Sequence, residues 1–184
     1  MAYNNYYDVD EILASSQKIP CKFRVDIQNL GYLESDTSQN IKANTTILIP
    51  FWLAPWLCQI GRYLPDWPDG PVETALPACL NTQVLAALKA SPTSLNLRDL
   101  APYWYALGSE CLAIMDDDEL PEVLALTYKE RVGKLADFVR GRRAAGAGEG
   151  EEMLLGLEEW ERRIRGVVEA GRAVSEWLGE RSNT

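Results

Sequence analysis

The chain carries 27 acidic and 18 basic residues, four cysteines and no histidine, an inventory that narrows the chemistry open to it. Without imidazole there is no Ser-His or Cys-His nucleophile pair and no imidazole metal ligand, and the commonest general base is missing. Carboxylate, lysine and tyrosine chemistry remain. Glu158 and Glu159 form an adjacent carboxylate pair, but neighbouring helix positions diverge by about 100° and cannot flank one substrate. Cys21, Cys58, Cys79 and Cys111 stand 37, 21 and 32 positions apart with no Cys-x-x-Cys among them. A structural zinc site would need all four at irregular spacings, so buried thiols in a reducing compartment are the plainer reading. The run Asp116-Asp117-Asp118-Glu119 fails as an EF-hand loop. Its sixth and twelfth positions are Pro121 and Thr127, where that loop needs Gly and Glu. It reads instead as the N-cap and first-turn charge of the helix that follows. Gly146, Gly148 and Gly150 follow a helical pattern rather than a strand, with no Gly-Lys-Ser/Thr, so they read as a linker. Arg140, Arg142 and Arg143 beside them read as a solvated helix end. No catalytic residue, metal ligand or cofactor site emerges, and the expectation is a protein that is not an enzyme.

What remains is aromatic. Six Trp, eight Tyr and three Phe are many for one small core. Rings combine large area with few rotatable bonds, which enriches them at protein interfaces. Tyr103-Trp104-Tyr105 point about 100° apart on a helix, so at least one is expected to leave the core. The interface candidates are Trp52, Trp56, Tyr103, Trp104, Tyr105, Trp160, Ile164 and Trp177. The alternative is a helical ligand-binding or adaptor domain that uses these rings as a pocket.

The elements that must position these residues change character along the chain. Asp8 with Glu11 three residues later reads as a capping box opening a helix through about residue 16. Cys21, Phe23, Val25 and Ile27 alternate with charged residues, a strand pattern. Gly31-Tyr32-Leu33 begins a second short strand, and Thr45 to Ile49 reads as a third. Residues 1–49 are thus expected to be a small β-rich domain with an N-terminal helix, and 50–184 a larger all-helical bundle, giving an α+β fold. Pro50 suits the first turn of a helix carrying Trp52 and Trp56. A rigid Pro-rich loop over 65–71 follows, then helices over 77–90, 96–115, 119–142 and 151–180. Pro102 is placed to kink the second of these. Leu120, Leu124, Tyr128, Leu135 and Val139 form the apolar side of the third. A flexible linker covers 141–150. In the last helix Met153, Leu157, Trp160, Ile164, Val167, Gly171, Val174 and Leu178 follow a 4-3 spacing. Glu158–Arg162, Glu159–Arg163 and Glu161–Arg165 are i,i+4 pairs on it. That stripe needs a partner surface, in its own domain or in another subunit.

Net charge is -9 and the sequence pI about 4.6, so strong nucleic-acid binding by this chain is not expected. The longest apolar run, 47–58, is broken by Pro50 and Pro55 and is too short to span a bilayer. The residues after Met1 lack a signal-peptide pattern. An intracellular protein with no membrane contact is expected, and the Asn44-Thr45-Thr46 sequon is read as chance.

Several blocks occur in the order of one known family. Tyr7-Asp8-Val9-Asp10-Glu11-Ile12-Leu13-Ala14, Ile19-Pro20 and Leu30-Gly31-Tyr32-Leu33 resemble the N-terminus of the third partner-of-Sld-five subunits of GINS. Ile49-Pro50-Phe51-Trp52-Leu53-Ala54 resembles their domain junction. The stretch from Ala90-Ser91-Pro92 through Leu97 to Ala101-Pro102-Tyr103-Trp104-Tyr105-Ala106-Leu107-Gly108-Ser109 is similar to their helical domain. The resemblance covers residues 7–109, and beyond about residue 120 only helical character is shared. It implies a small β-rich domain followed by a helical one. It further implies a non-catalytic place beside three other subunits in a nuclear heterotetramer that joins the MCM motor and a RecJ-like partner in the replicative helicase.

Overall fold

The computed structural model describes residues 7–33, 39–60, 70–115, 117–139 and 153–182. The first helix, α1 (Val9–Ser15), opens where Asp8 caps it, its carboxylate accepting the Asp10 N–H at 3.0 Å. A three-stranded antiparallel sheet follows, ordered β2-β1-β3, from β1 (Lys18–Phe23), β2 (Thr46–Pro50) and β3 (Val72–Thr74). Period-2 alternation buries Ile19, Cys21 and Phe23 of β1 with Ile47 and Ile49 of β2. The opposite face carries Lys18, Pro20, Lys22, Thr46 and Leu48. The strand begins three residues before the expected Cys21 and stops at Phe23, leaving Ile27 in an isolated bridge to Ile41. Gly31–Leu33 is a 3-10 turn rather than a strand. Its Gly31 N–H is taken by the Gln39 carbonyl.

Register fixes which way each peptide group of the sheet points. Ile19 pairs with Ile49 and Cys21 with Ile47. The Pro20 carbonyl accepts from Ala75 N–H on the β3 side. Pro20–Leu48 is therefore a non-bonded pair between β1 and β2, and the Thr46 and Leu48 peptide groups face the open edge.

Pro50 ends β2 instead of starting a helix. Its carbonyl closes a turn by accepting Leu53 N–H, and α2 (Ala54–Ile60) begins after it. A 3-10 turn, Ala78–Leu80, precedes α3 (Thr82–Ala90). The helix expected over 96–115 is two. Asn96 caps α4 (Leu97–Leu100), and α5 (Trp104–Ile114) restarts beyond Pro102. The proline ring excludes Ala101 from helical backbone, and that residue is extended at φ -160, ψ 135. In α6 (Glu119–Val139) the Asp117 carboxylate accepts the Glu119 and Leu120 N–H groups, the capping role expected of the acidic run. The last expected helix also divides. Residues 153–155 form one turn, and α7 (Glu159–Ser182) starts after Gly156.

The chain forms an α+β structure of two compact units. One comprises Met1–Asn81 with Glu110–Asp116 at the end of α5; the other comprises Thr82–Ser109 with Asp117–Thr184. The sheet draws on β3 as well as β1 and β2, so it uses residues on both sides of the expected 49–50 boundary. Of the two loops expected beyond the helices, 141–150 lies outside the described residues and so does most of 65–71. Among the described residues no helix is long and apolar enough to cross a membrane.

Candidate protein interface

In the second unit the start of α7 is held by charge. Glu158 is its N-cap, with Oε2 accepting the Trp160 N–H at 2.8 Å, and Glu161 reaches back to accept the Glu158 N–H at 3.1 Å. That is a reciprocal capping box. Glu161 also takes a bidentate pair from Arg131 of α6, at 2.6 Å from Nε and 2.9 Å from Nη2. Arg131 spends its remaining N–H donors on the carbonyls of Gly156, Leu95 and Pro92. Five donors thus meet five acceptors. Tyr105 of α5 donates its hydroxyl to Glu161 at 2.9 Å.

Arg131, Glu158 and Glu161 are all buried. A desolvated ion pair gains little net stability over an apolar replacement, but losing one partner strands a charge and costs about 3–5 kcal/mol. Burial, followed by the Glu161 carboxylate, pushes the Tyr105 phenol well above its ordinary range, so it stays a donor. Burial lifts the Glu158 carboxyl to about 7 against the downward pull of the Trp160 N–H. Its Oε1 has no partner among the described residues.

An aromatic cluster covers this network. Tyr105 meets Trp104 edge-on at 5.1 Å and Tyr128 edge-on at 5.4 Å, and Trp160 stacks on it at 6.2 Å. Trp104 and Tyr105, both interface candidates, are buried within the unit. Tyr103 is half-buried. Trp160 keeps 39% of its surface exposed and Ile164 is half-buried against Leu135, Met153 and Leu157.

Beyond Ile164 the helix leaves this packing. Residues 166–175 are exposed on every side, with Val167 73%, Val174 57% and Trp177 53% exposed. A Cβ built on Gly171 meets nothing within 4 Å. The 4-3 stripe is therefore core at Met153 and Leu157, boundary at Trp160 and Ile164, and open surface at Val167, Gly171 and Val174. Of the three expected i,i+4 pairs, Glu161 is taken by Arg131, Arg165 pairs with Glu169, and Glu159 meets Arg162 at 3.6 Å.

The first unit has its own exposed apolar group. Trp52 is 56% exposed and Trp56 68%. The Trp52 N–H donates to the Ser15 carbonyl, tying the turn before α2 to the end of α1, where Ile12 and Leu13 are exposed.

The cysteines offer no competing chemistry. None of the four is in a disulfide, and burial raises each thiol, Cys21 and Cys111 to about 12. Thiols that far above neutrality carry little thiolate, the reactive form.

Arg131 and Glu161 were not among the sequence candidates, although the signal is present. Leu120, Val123, Thr127, Arg131 and Leu135 are the buried residues among the described side chains of α6, spaced three or four apart. The expected stripe through Leu124 and Tyr128 instead passed around the two polar members. An arginine in register with a buried stripe implies a buried acceptor.

Two family descriptions match the chain in consecutive segments: the PSF3 N-terminal domain over residues 7–59, and the GINS complex protein helical bundle domain over residues 79–164. The chain is similar to the DNA replication complex GINS protein psf3 of Aspergillus fumigatus, 40% identical over 96% of this chain and 97% of that protein. It is 38% identical to PSF3 of Gibberella zeae, over 98% and 99% of the two chains. Against PSF3 of Saccharomyces cerevisiae it is 32% identical over 71% of this chain and 69% of the relative.

Proposed function

The chain belongs to the PSF3 family of GINS DNA replication complex subunits, and from that premise we propose that it is a non-catalytic, architectural member of a GINS heterotetramer. In this reading it contributes surface to that assembly in the nucleus. The other three subunits bind it directly, and the MCM motor and a RecJ-like partner are reached through the complex. The observation that carries the reading is the second half of α7, an amphipathic helix whose Val167, Val174 and Trp177 are exposed. Apolar stripes of this length are stabilised by packing, and one left open on a chain is a docking face. Trp52 and Trp56 give the first unit a second such face.

The test is co-expression with the other three subunits, followed by size-exclusion chromatography and mass determination. One copy of each subunit in a single particle is the expected result. Val167→Asp with Val174→Asp should leave the chain folded and exclude it from the particle. A double variant that enters the particle as well as the native chain overturns the role given to α7. A native chain that stays monomeric beside the other three overturns the assembly.

A further inference from the structure

The three-stranded sheet carries an interaction surface separate from α7. Its outer face holds Lys18 and Lys22 on the central strand, both exposed, with Leu48 60% exposed on the edge strand. Register places Lys18 opposite Pro50, Pro20 opposite Leu48 and Lys22 opposite Thr46, all on that face. Arg24 pairs with Glu73 at 3.4 Å. Lys18, Lys22 and the nearby exposed Lys42 have no carboxylate partner among the described residues. In a chain of net charge -9 this is a local reversal of sign.

Among the described residues the edge itself is open. Thr46 and Leu48 turn their peptide N–H and C=O groups away from β1, and no described residue pairs with them. Sheets commonly guard an edge by placing charge on the edge strand. Here Pro50 closes one end of the edge, with no N–H and its carbonyl taken by Leu53, but the open stretch Thr46 to Leu48 carries no charge, and the lysines stand one strand further in. That placement suits recognition of a strand added beside β2 rather than its exclusion.

We propose that the open edge of β2 binds an extended, acidic segment of a partner protein by strand addition, with an apolar residue against Leu48 and carboxylates two positions to either side. A residue set opposite Leu48 exchanges both backbone bonds with it and puts its side chain on the outer face. Residues two positions away fall opposite Thr46 and Pro50, in line with Lys22 and Lys18. Strands lie about 4.8 Å apart, so these carboxylates start about 10 Å from β1, a gap that a glutamate and a lysine side chain close between them. The ligand pattern is acidic-x-apolar-x-acidic.

The probe is a fluorescein-labelled synthetic peptide with a Glu-x-Leu-x-Glu core, titrated by fluorescence anisotropy into the full chain. Leu48→Asp is expected to weaken binding by about tenfold or more. Lys18→Glu with Lys22→Glu should weaken it by about a hundredfold and reverse its salt dependence, because salt then screens repulsion in place of attraction. N-methylation of the peptide leucine should abolish binding, since it removes the amide that donates to the Leu48 carbonyl. All three protein positions are exposed, and unchanged thermal melting of each variant confirms the fold. Equal binding of the N-methylated or a scrambled peptide overturns strand addition. Single-stranded DNA bound as tightly as the peptide, with loss only in the lysine variant, makes the face a general anion patch and also overturns it.

Discussion

Arg131 and Glu161 unite four segments of the second unit, and their removal has separable consequences. Arg131→Met keeps the volume near native but leaves the Glu161 carboxylate buried with only the Tyr105 hydroxyl and one backbone N–H. Thermal or urea unfolding of the full chain should show a loss of about 3–5 kcal/mol. Tyr105→Phe removes one donor and leaves the ion pair intact, so about 1.5–3 kcal/mol is expected. A smaller loss in Arg131→Met than in Tyr105→Phe would show that water reaches the carboxylate. Trp160 is not fully buried, so Trp160→Ala should cost less than the roughly 3–5 kcal/mol of a core tryptophan. Glu158 adds a pH dependence whose sign follows from its environment. The folded-state value of about 7 lies above the ordinary 4.5, so the folded chain binds this proton more tightly than the unfolded chain. The resulting stability is fully present below about pH 4.5 and is lost as pH rises through about 7. Glu158→Gln keeps an oxygen for the Trp160 N–H and removes the titration. Relative to that variant, the native chain should lose denaturation midpoint between about pH 5 and pH 8; parallel profiles would contradict it. At this scale the sequence was only partly legible. The Asp8 and Asp117 caps can be read from local spacing, because both partners lie within three residues. The partner of Arg131 is 30 positions away, and nothing local points to it.

The same distinction holds between elements. β1 and β2 announce themselves by alternation, because each strand has one wet face and one dry face. Gly31–Leu33 misleads because Tyr32 and Leu33 look like strand residues, yet neither is buried and the segment has no ladder to join. Pro102 breaks the 96–115 pattern through the backbone of Ala101, an effect on the preceding residue that apolar periodicity does not register. Gly156 divides the last helical pattern for a packing reason. A Cβ there would sit 2.9 Å from the Asn96 side chain and 3.1 Å from the Asn96 Cα. Gly156→Ala therefore pushes on α4's cap and on the carbonyl that Arg131 holds. Gly171 is the opposite case. It lies inside α7 in open space, so Gly171→Ala should stabilise the isolated chain's helix by up to about 1 kcal/mol, read by far-UV circular dichroism on heating. If a partner helix packs closely over Gly171, the same methyl should weaken assembly with the other subunits. Gain in the chain together with loss in the complex identifies that close approach. Gain in both places the partner elsewhere on α7.

At the scale of the whole molecule, exposed apolar surface and high net charge act in opposite directions. The charge of -9 keeps single chains apart, while the open faces at Trp52, Trp56, Val167, Val174 and Trp177 gain free energy only when covered. A ligand that binds the folded state alone stabilises it by RT ln(1 + [L]/Kd), about 4 kcal/mol at a thousandfold excess over Kd. The measured stability of this chain should therefore depend on its partners in a way that internal contacts alone cannot produce. Titrating the other GINS subunits into the full chain should raise its unfolding temperature with the logarithm of their concentration. Val167→Asp with Val174→Asp should melt like the native chain alone, because neither side chain is buried in it, and should lack most of that rise. Arg131→Met should behave in reverse, melting early alone yet recovering stability as the partners saturate α7. If both variants lost the partner-dependent rise equally, docking would depend on the integrity of the whole unit rather than on the exposed stripe, and α7 would be a core helix whose surface residues are incidental.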